Sequence, residues 1–190
     1  MIINGKNNKY KIDNSLIIIL IITILNKNIF IFFYYYFISY FFVIIHEYSH
    51  VLVSKIFNIK VNKIYFKIGG MCASIENNNN NIYKYIIIYL AGPLVNLILY
   101  LIFLKYEYVS KINIILCVIN LIPIKPLDGY NILSKIISKD KIQKINFISI
   151  VIFTMLNFYF VLHKKYYGFC IFIIYIISLN CINKIESDKK

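Results

Sequence analysis

The stretch that decides the fold is FFVIIHEYSHVLVSKIF, residues 41–57, which places two histidines and a glutamate inside an otherwise apolar run. His46, Glu47 and His50 form the pattern HExxH. On a helix, residues i and i+4 lie on one face about one turn apart, so both imidazoles can bind one metal ion. Ionisable groups at membrane depth are costly and usually functional. The stretch therefore predicts a functional helix that binds a metal.

The composition indicates a membrane protein. Hydrophobic residues make up 60% of the 190-residue chain, more than in ordinary soluble domains. All 21 basic residues are lysines, and the net charge is +13. These lysines are scattered between apolar runs and form no basic face, so we expect a lipid bilayer and no nucleic acid as partner. The four cysteines form no CxxC pair, which argues against a disulfide framework or a thiolate zinc site.

Six apolar runs are candidates for membrane-spanning helices, each of which needs about 20 residues. The first is short, and the fourth ends in NLIPIKP, whose prolines would unwind a helix. We predict an all-α polytopic membrane protein, with one integral membrane domain over residues 1–183 and a polar cytoplasmic tail over 184–190. The runs cover residues 15–25, 29–57, 85–104, 112–124, 145–162 and 166–182.

The lysines predict the orientation of these helices. In a six-span arrangement, 16 lysines lie on one side of the membrane and five on the other. Lysine is enriched in cytoplasmic loops, so we expect both termini and the active site to face the cytoplasm.

The segment between the second and third runs, VNKIYFKIGGMCASI, has β-branched and aromatic residues on both sides of Gly69 and Gly70. This pattern is compatible with a short β-hairpin that turns at the glycines. A solvated loop is an equally good interpretation. A hairpin could bind an extended substrate by strand addition.

HExxH on a helix is typical of zinc metalloproteases, in which the glutamate acts as general base. The alternative is that these are polar core residues satisfied by nearby backbone. A catalytic zinc also needs a third protein ligand and an open position. After the carboxylates of tails, lysine-rich segments and the opposite membrane side are set aside, Glu76 and Asp128 remain. Asp128 is favoured because prolines and Gly129 fix an irregular backbone around it; its alternative role is a helix N-cap.

Three elements, HEYSH, AGPLVN and NLIPIKPLDG, resemble the site-2 protease family of intramembrane zinc metalloproteases. The resemblance implies that His46, His50 and Asp128 bind one Zn²⁺ and that Glu47 activates water. The resemblance also implies that further residues shape the site. In AGPLVN, Gly92 would permit close helix packing, Pro93 would produce a local kink and Asn96 would make a polar contact. Ordinary helix packing explains these three residues equally well. The site-shaping residues are Asn120, Pro123, Gly129, Gly92, Pro93 and Asn96.

Within the family, the six runs and the glycine pair look most like the stage IV sporulation proteases of the bacterial cell membrane. The resemblance implies hydrolysis of a membrane-associated protein such as a sigma-factor precursor, with membrane-protein regulators or inhibitors as further partners. Unlike those proteases, this sequence ends in NKIESDKK and shows no CBS domain, and it has no room for an inserted PDZ domain. Tyr130 stands where a glycine is frequent. A transporter and an inactive family member acting as a scaffold are the alternative functions.

Overall fold

The computed structural model is mostly helical and divides into two compact units, Met1–Val118 and Ile119–Lys190. The first and sixth apolar runs and the predicted boundary at 183/184 lie outside the described part of the chain. The structure describes residues 2–4, 9–12, 29–67, 70–75 and 81–164.

Five helices and four strands are described. The first unit contains β1 (Ile2–Asn4), β2 (Lys9–Ile12), α1 (Ile29–Ile56), β3 (Val61–Lys67), β4 (Gly70–Ile75), α2 (Ile82–Ile102) and α3 (Glu107–Asn120), of which the last two residues belong to the second unit. The second unit contains α4 (Asp128–Ile136) and α5 (Lys139–Lys164).

Among the described residues, two helices are long and apolar enough to cross a membrane, namely Tyr34–Ile56 within α1 and Ile82–Ile102. They coincide with the second and third predicted spans. The fourth run, residues 112–124, overlaps α3, which stops at Asn120, the first residue of NLIPIKP, where unwinding was predicted. Prolines in that segment account for the stop. The fifth run lies within α5, and the total of six spans stays a prediction.

The helix α1 buries polar groups and exposes apolar ones. Its buried face repeats every fourth residue, at Phe42, His46, His50 and Ser54. A surface helix of a soluble protein has the reverse arrangement, with an apolar stripe toward the core and polar groups outside. An apolar exterior around a polar interior fits insertion into a bilayer. The exposed apolar residues of α1 include Tyr34, Tyr35, Phe37, Phe41, Tyr48, Leu52 and Ile56.

The end of α1 is fixed by a left-handed residue. Asn58 has φ 56°, a conformation that asparagine tolerates better than most residues. The amide of Ile59 donates to the carbonyl of Ser54 at 2.9 Å, and that of Asn58 donates to Lys55 at 3.0 Å. These two bonds form a Schellman motif that satisfies the last carbonyls of the helix. Ile59 then packs with Tyr85 and Ile88 in a buried cluster that joins α1 to α2.

The four strands form one sheet in the order β1-β2-β3-β4, in which β2 pairs parallel with β3 and the other neighbours pair antiparallel. The strands β3 and β4 occupy the segment for which a hairpin or a loop was predicted. Gly70 begins β4, whereas Gly69 lies outside the described residues. The sequence analysis did not anticipate β1 and β2, because short segments rich in lysine and asparagine carry little strand propensity.

In the second unit, a run of turns connects α3 to α4. The amide of Leu127 donates to the carbonyl of Ile124 at 2.8 Å, and the amide of Lys125 donates to the side chain of Asn146 on α5 at 2.9 Å. Leu127 is the N-cap residue of α4, and Asp128 is the first helical residue. The alternative role of Asp128 as an N-cap is therefore wrong.

Candidate metal centre

His46 and His50 lie side by side on the buried face of α1. Their exposed fractions are 2% and 3%, and their Nε2 atoms are 3.3 Å apart. Their spacing of four residues produces this arrangement, since it returns the second imidazole to the same helix face one turn later. The HExxH prediction of two converging imidazoles is thus seen directly in the geometry.

The Nδ1 atom of each histidine faces an oxygen acceptor. In His50 it lies 2.6 Å from the backbone carbonyl of Ile88, and in His46 it contacts the Oδ1 atom of Asn96. A carbonyl oxygen can only accept, so Nδ1 donates in both rings. In a neutral imidazole the other nitrogen then carries the lone pair, so each Nε2 atom is free of its ring proton and can bind a metal ion.

The distance between the Nε2 atoms fits a metal ion. Two lone pairs that face each other cannot form a hydrogen bond, so a cation is the species that this pair suits. Zinc binds imidazole nitrogen at about 2.0–2.1 Å in tetrahedral geometry, which separates two such nitrogens by about 3.3–3.4 Å. The observed separation of 3.3 Å agrees with that value.

Gly92 on α2 leaves the space beside the two nitrogens open. A Cβ atom added at this position would lie 2.5 Å from the Nε2 atom of His46 and 2.5 Å from that of His50. Any other residue would therefore occupy the volume that an ion needs. The close approach predicted at Gly92 is therefore the approach of α2 to the two imidazoles. Pro93 lies buried inside α2, and the helix continues through it.

Asp128, at the start of α4, is buried like the two histidines. Glu47 follows His46 on α1 and is half-buried. Glu76, the other carboxylate kept as a candidate ligand, lies outside the described residues. Glu107 pairs with Lys111 on the exposed start of α3, and this partner lowers the pKa of the Glu107 carboxyl.

The glycine after Asp128 is required by backbone packing. A Cβ atom on Gly129 would lie 2.1 Å from the carbonyl oxygen of Leu121 and 2.8 Å from that of Ile122. Gly129 therefore lets the start of α4 lie against the turn that follows α3. Asn120 ends α3 and Pro123 lies in the same turn, so these two predicted site-shaping residues belong to this backbone arrangement.

Sequence analysis missed Asn113. Its side chain is completely buried, and its Oδ1 atom accepts a hydrogen bond of 2.8 Å from the Nδ2 atom of Asn96. Asn96 in turn contacts His46, so the polar contact predicted for Asn96 has two partners. An asparagine inside a predicted membrane helix was the signal that could have pointed to Asn113.

Residues 34–111 match the family described as peptidase family M50. The matched segment contains the whole HExxH pattern, Gly92 and Asn96. This part of the chain is similar to peptidase family M50. Asp128 and Gly129 lie beyond the matched M50 segment.

Two further similarities agree with the M50 match. A protein of Synechocystis sp., named as a zinc metalloprotease, is 34% identical over 109 residues, which cover 50% of this chain and 29% of that protein. The match thus spans less than a third of this relative. The site-2 protease from Methanocaldococcus jannaschii has a similar structure, with a TM-score of 0.60 and 25% identity over 94% of this chain and 90% of that one.

Proposed function

We propose that this protein is a zinc endopeptidase of peptidase family M50 that hydrolyses peptide bonds within or near the membrane. The observation that carries the proposal is the pair of buried Nε2 atoms, 3.3 Å apart, with both Nδ1 atoms donating elsewhere. His46, His50 and Asp128 would hold one zinc ion. The family match and the similarity to a site-2 protease support the same reaction class.

The proposed division of labour follows from the residue types. Zinc, when bound, polarises a carbonyl and lowers the pKa of a water toward neutrality. Glu47 would take a proton from the attacking water and return it to the leaving amine. Gly92 would leave the space beside the two histidines open. Asn120, Pro123 and Gly129 would maintain the turn before α4, and with it the backbone at Asp128.

We extend the proposal to location and substrate. The lysine distribution favours an orientation with both termini and the active site toward the cytoplasm, and the sequence resemblance favours a bacterial cell membrane. A membrane-associated precursor such as a sigma factor is the substrate class that the sequence resemblance favours. Its scissile segment would have to be unwound, and β4 is the strand best placed for it, because β4 lies at an edge of the described sheet whereas β3 is paired on both sides.

Neither alternative function is favoured by an observation of its own. A transporter would need polar groups at several depths along a path. In the described helices α1 and α2, the buried polar residues are His46, His50, Ser54 and Asn96, and all but Ser54 belong to the histidine site. An inactive scaffold would need no general base, and Glu47 is present.

The experiment that tests the proposal compares wild type with Glu47→Gln. We expect wild type to cleave a coexpressed candidate precursor and the variant to bind an equal amount of zinc without cleaving, because the amide cannot accept the proton. Zinc content of the purified proteins and the cleaved fraction are the two measurements. Glu107→Gln is the matched control, since it makes the same change at an exposed carboxylate, and it should cleave normally.

Two outcomes would contradict the proposal. Absence of zinc from purified wild type would remove the metal centre and favour the scaffold. Normal cleavage by Glu47→Gln would leave the reaction without the proposed base.

A further inference from the structure

A chain of buried amides leads from helix α3 to His46. The Nδ2 atom of Asn113 donates to the carbonyl of Val109 at 2.8 Å, and the Oδ1 atom of Asn113 accepts from Asn96 at 2.8 Å. Asn96 then presents its Oδ1 atom to the Nδ1 atom of His46. Asn96 and Asn113 are both completely buried. These four groups are called the amide relay below.

The direction of every bond in the amide relay follows from its first member. The Val109 carbonyl can only accept, so Asn113 must turn its NH₂ toward it. The oxygen of Asn113 then faces Asn96, which must donate a hydrogen bond from its own NH₂ group. The oxygen of Asn96 is left facing His46, so Nδ1 of His46 must carry the proton. Nε2 of His46 therefore carries the lone pair that a metal needs.

We propose that Asn113 is a positioning residue that selects the metal-binding tautomer of His46, acting through Asn96. This inference rests on the proposed zinc site. Without Asn113, the buried NH₂ group of Asn96 loses its acceptor, and reversing the amide lets that NH₂ group donate to His46 instead. His46 would then accept at Nδ1 and carry its proton at Nε2, which cannot bind zinc.

The test compares two substitutions of Asn113. If loss of packing lowered zinc affinity, the smaller side chain would be worse; if loss of the polar partner lowered it, the apolar side chain that excludes water would be worse. Asn113→Leu keeps the branching at Cγ and is somewhat larger than asparagine, so it removes both polar atoms, leaves no cavity and leaves no room for water. Asn113→Ala removes more packing but leaves a polar space, bounded by the Asn96 NH₂ and the Val109 carbonyl, that can hold a water. Such a water can accept from Asn96 while it donates to Val109, so the Asn96 NH₂ group keeps a hydrogen-bond partner in its present orientation.

We expect Asn113→Leu to weaken zinc binding by about 10–100-fold, the usual effect of losing an outer partner of a metal ligand. Asn113→Ala should stay within about threefold of wild type, because a bridging water replaces the amide. The measurement is zinc affinity of the full chain in detergent, by competition with a chelator. The visible spectrum of the Co²⁺-loaded protein provides a second readout of histidine ligation.

Ser110→Ala is the matched control, because Ser110 is buried on the same helix and bonds only to its own turn, at the Glu107 carbonyl, among the bonds described for it. It should bind zinc like wild type. Zinc affinity that falls further in Asn113→Ala than in Asn113→Leu would indicate packing alone and overturn the inference. Unchanged affinity in Asn113→Leu would do the same. If that variant does not fold, Asn113→Val carries the same expectation.

The two proposals fail in different ways. Wild type that binds no zinc would overturn the proposed function, and this inference with it. Wild type that binds zinc, with Asn113→Leu binding equally well, would overturn the inference alone.

Discussion

The surroundings of His50 and His46 differ in what holds each ring. His50 donates from Nδ1 to a backbone carbonyl, that of Ile88, at 2.6 Å. His46 donates from the same atom to a side chain, Asn96, which depends on a second side chain, Asn113. Both rings end with Nε2 directed toward the same place. The orientation of His50 is therefore fixed by a backbone carbonyl, which a substitution does not remove. That of His46 is fixed by side chains, which a substitution does remove.

This difference suggests where the metal centre is robust. A substitution at residue 88 changes the side chain and leaves the carbonyl in place, so the tautomer of His50 should survive it. Substitutions at residues 96 or 113 change the groups that set the tautomer of His46. Zinc affinity should therefore be sensitive on the His46 side and tolerant on the His50 side.

Gly92→Ala should cause the largest loss of zinc binding, because the added methyl group lies against both His46 and His50. The added Cβ would lie 2.5 Å from both Nε2 atoms. We expect zinc content below about one tenth of wild type at stoichiometric zinc, a larger loss than the ~10–100-fold weakening caused by losing an outer partner. Zinc content of the purified protein checks this. Leu94→Ala, on the exposed face of the same helix, should keep full zinc; a Gly92→Ala protein that also keeps it would contradict the assigned position of the site.

Asn96→Leu should have an intermediate effect that is confined to the His46 side. It keeps the side-chain shape but removes the acceptor that holds Nδ1 of His46, so zinc affinity should fall by about 10–100-fold. Chelator competition measures the loss. Combining Asn96→Leu with Asn113→Leu should weaken zinc binding little more than Asn96→Leu alone, because Asn113 acts through Asn96. Additive losses would show that the two asparagines act independently.

Ile88→Val should have the smallest effect on zinc. Ile88 is completely buried, so losing a methylene should cost about 0.5–1.5 kcal/mol of stability. The carbonyl that accepts from His50 remains, and zinc affinity should stay within about twofold of wild type. Thermal unfolding of the zinc-free protein and chelator competition separate the two quantities. A large loss of zinc affinity here would mean that the backbone partner is no more robust than the side-chain partner.

Much of the site was predictable because its signals are local. The spacing of His46 and His50 fixes their shared helix face, and the prolines after Asn120 explain why α3 ends there. Apolar run lengths predicted the two helices that are long enough to cross a membrane. These features depend on neighbours in sequence, which the sequence displays directly.

The partners of the histidines were not predictable in the same way. Nothing in AGPLVN says that Asn96 contacts His46, since that contact joins residues 50 positions apart. The acceptor of His50 is a carbonyl, which every residue carries, so no residue type marks Ile88. Asparagine is abundant in this chain, so the presence of an asparagine at position 113 does not by itself indicate a buried amide. The strand β2 pairs with β3, and β1 pairs with β2, and short polar segments carry no local signal of such pairing.

The left-handed conformation of Asn58 lets the backbone requirement of the fold be tested independently of the proposed proteolytic reaction. Few amino acids enter this region at low cost, chiefly glycine, asparagine and aspartate. A saturation library at codon 58, scored for protein abundance, should therefore be enriched in those three residues and depleted in valine and isoleucine. Because the selection acts on a torsion angle, the same ranking should appear in a background that carries Glu47→Gln.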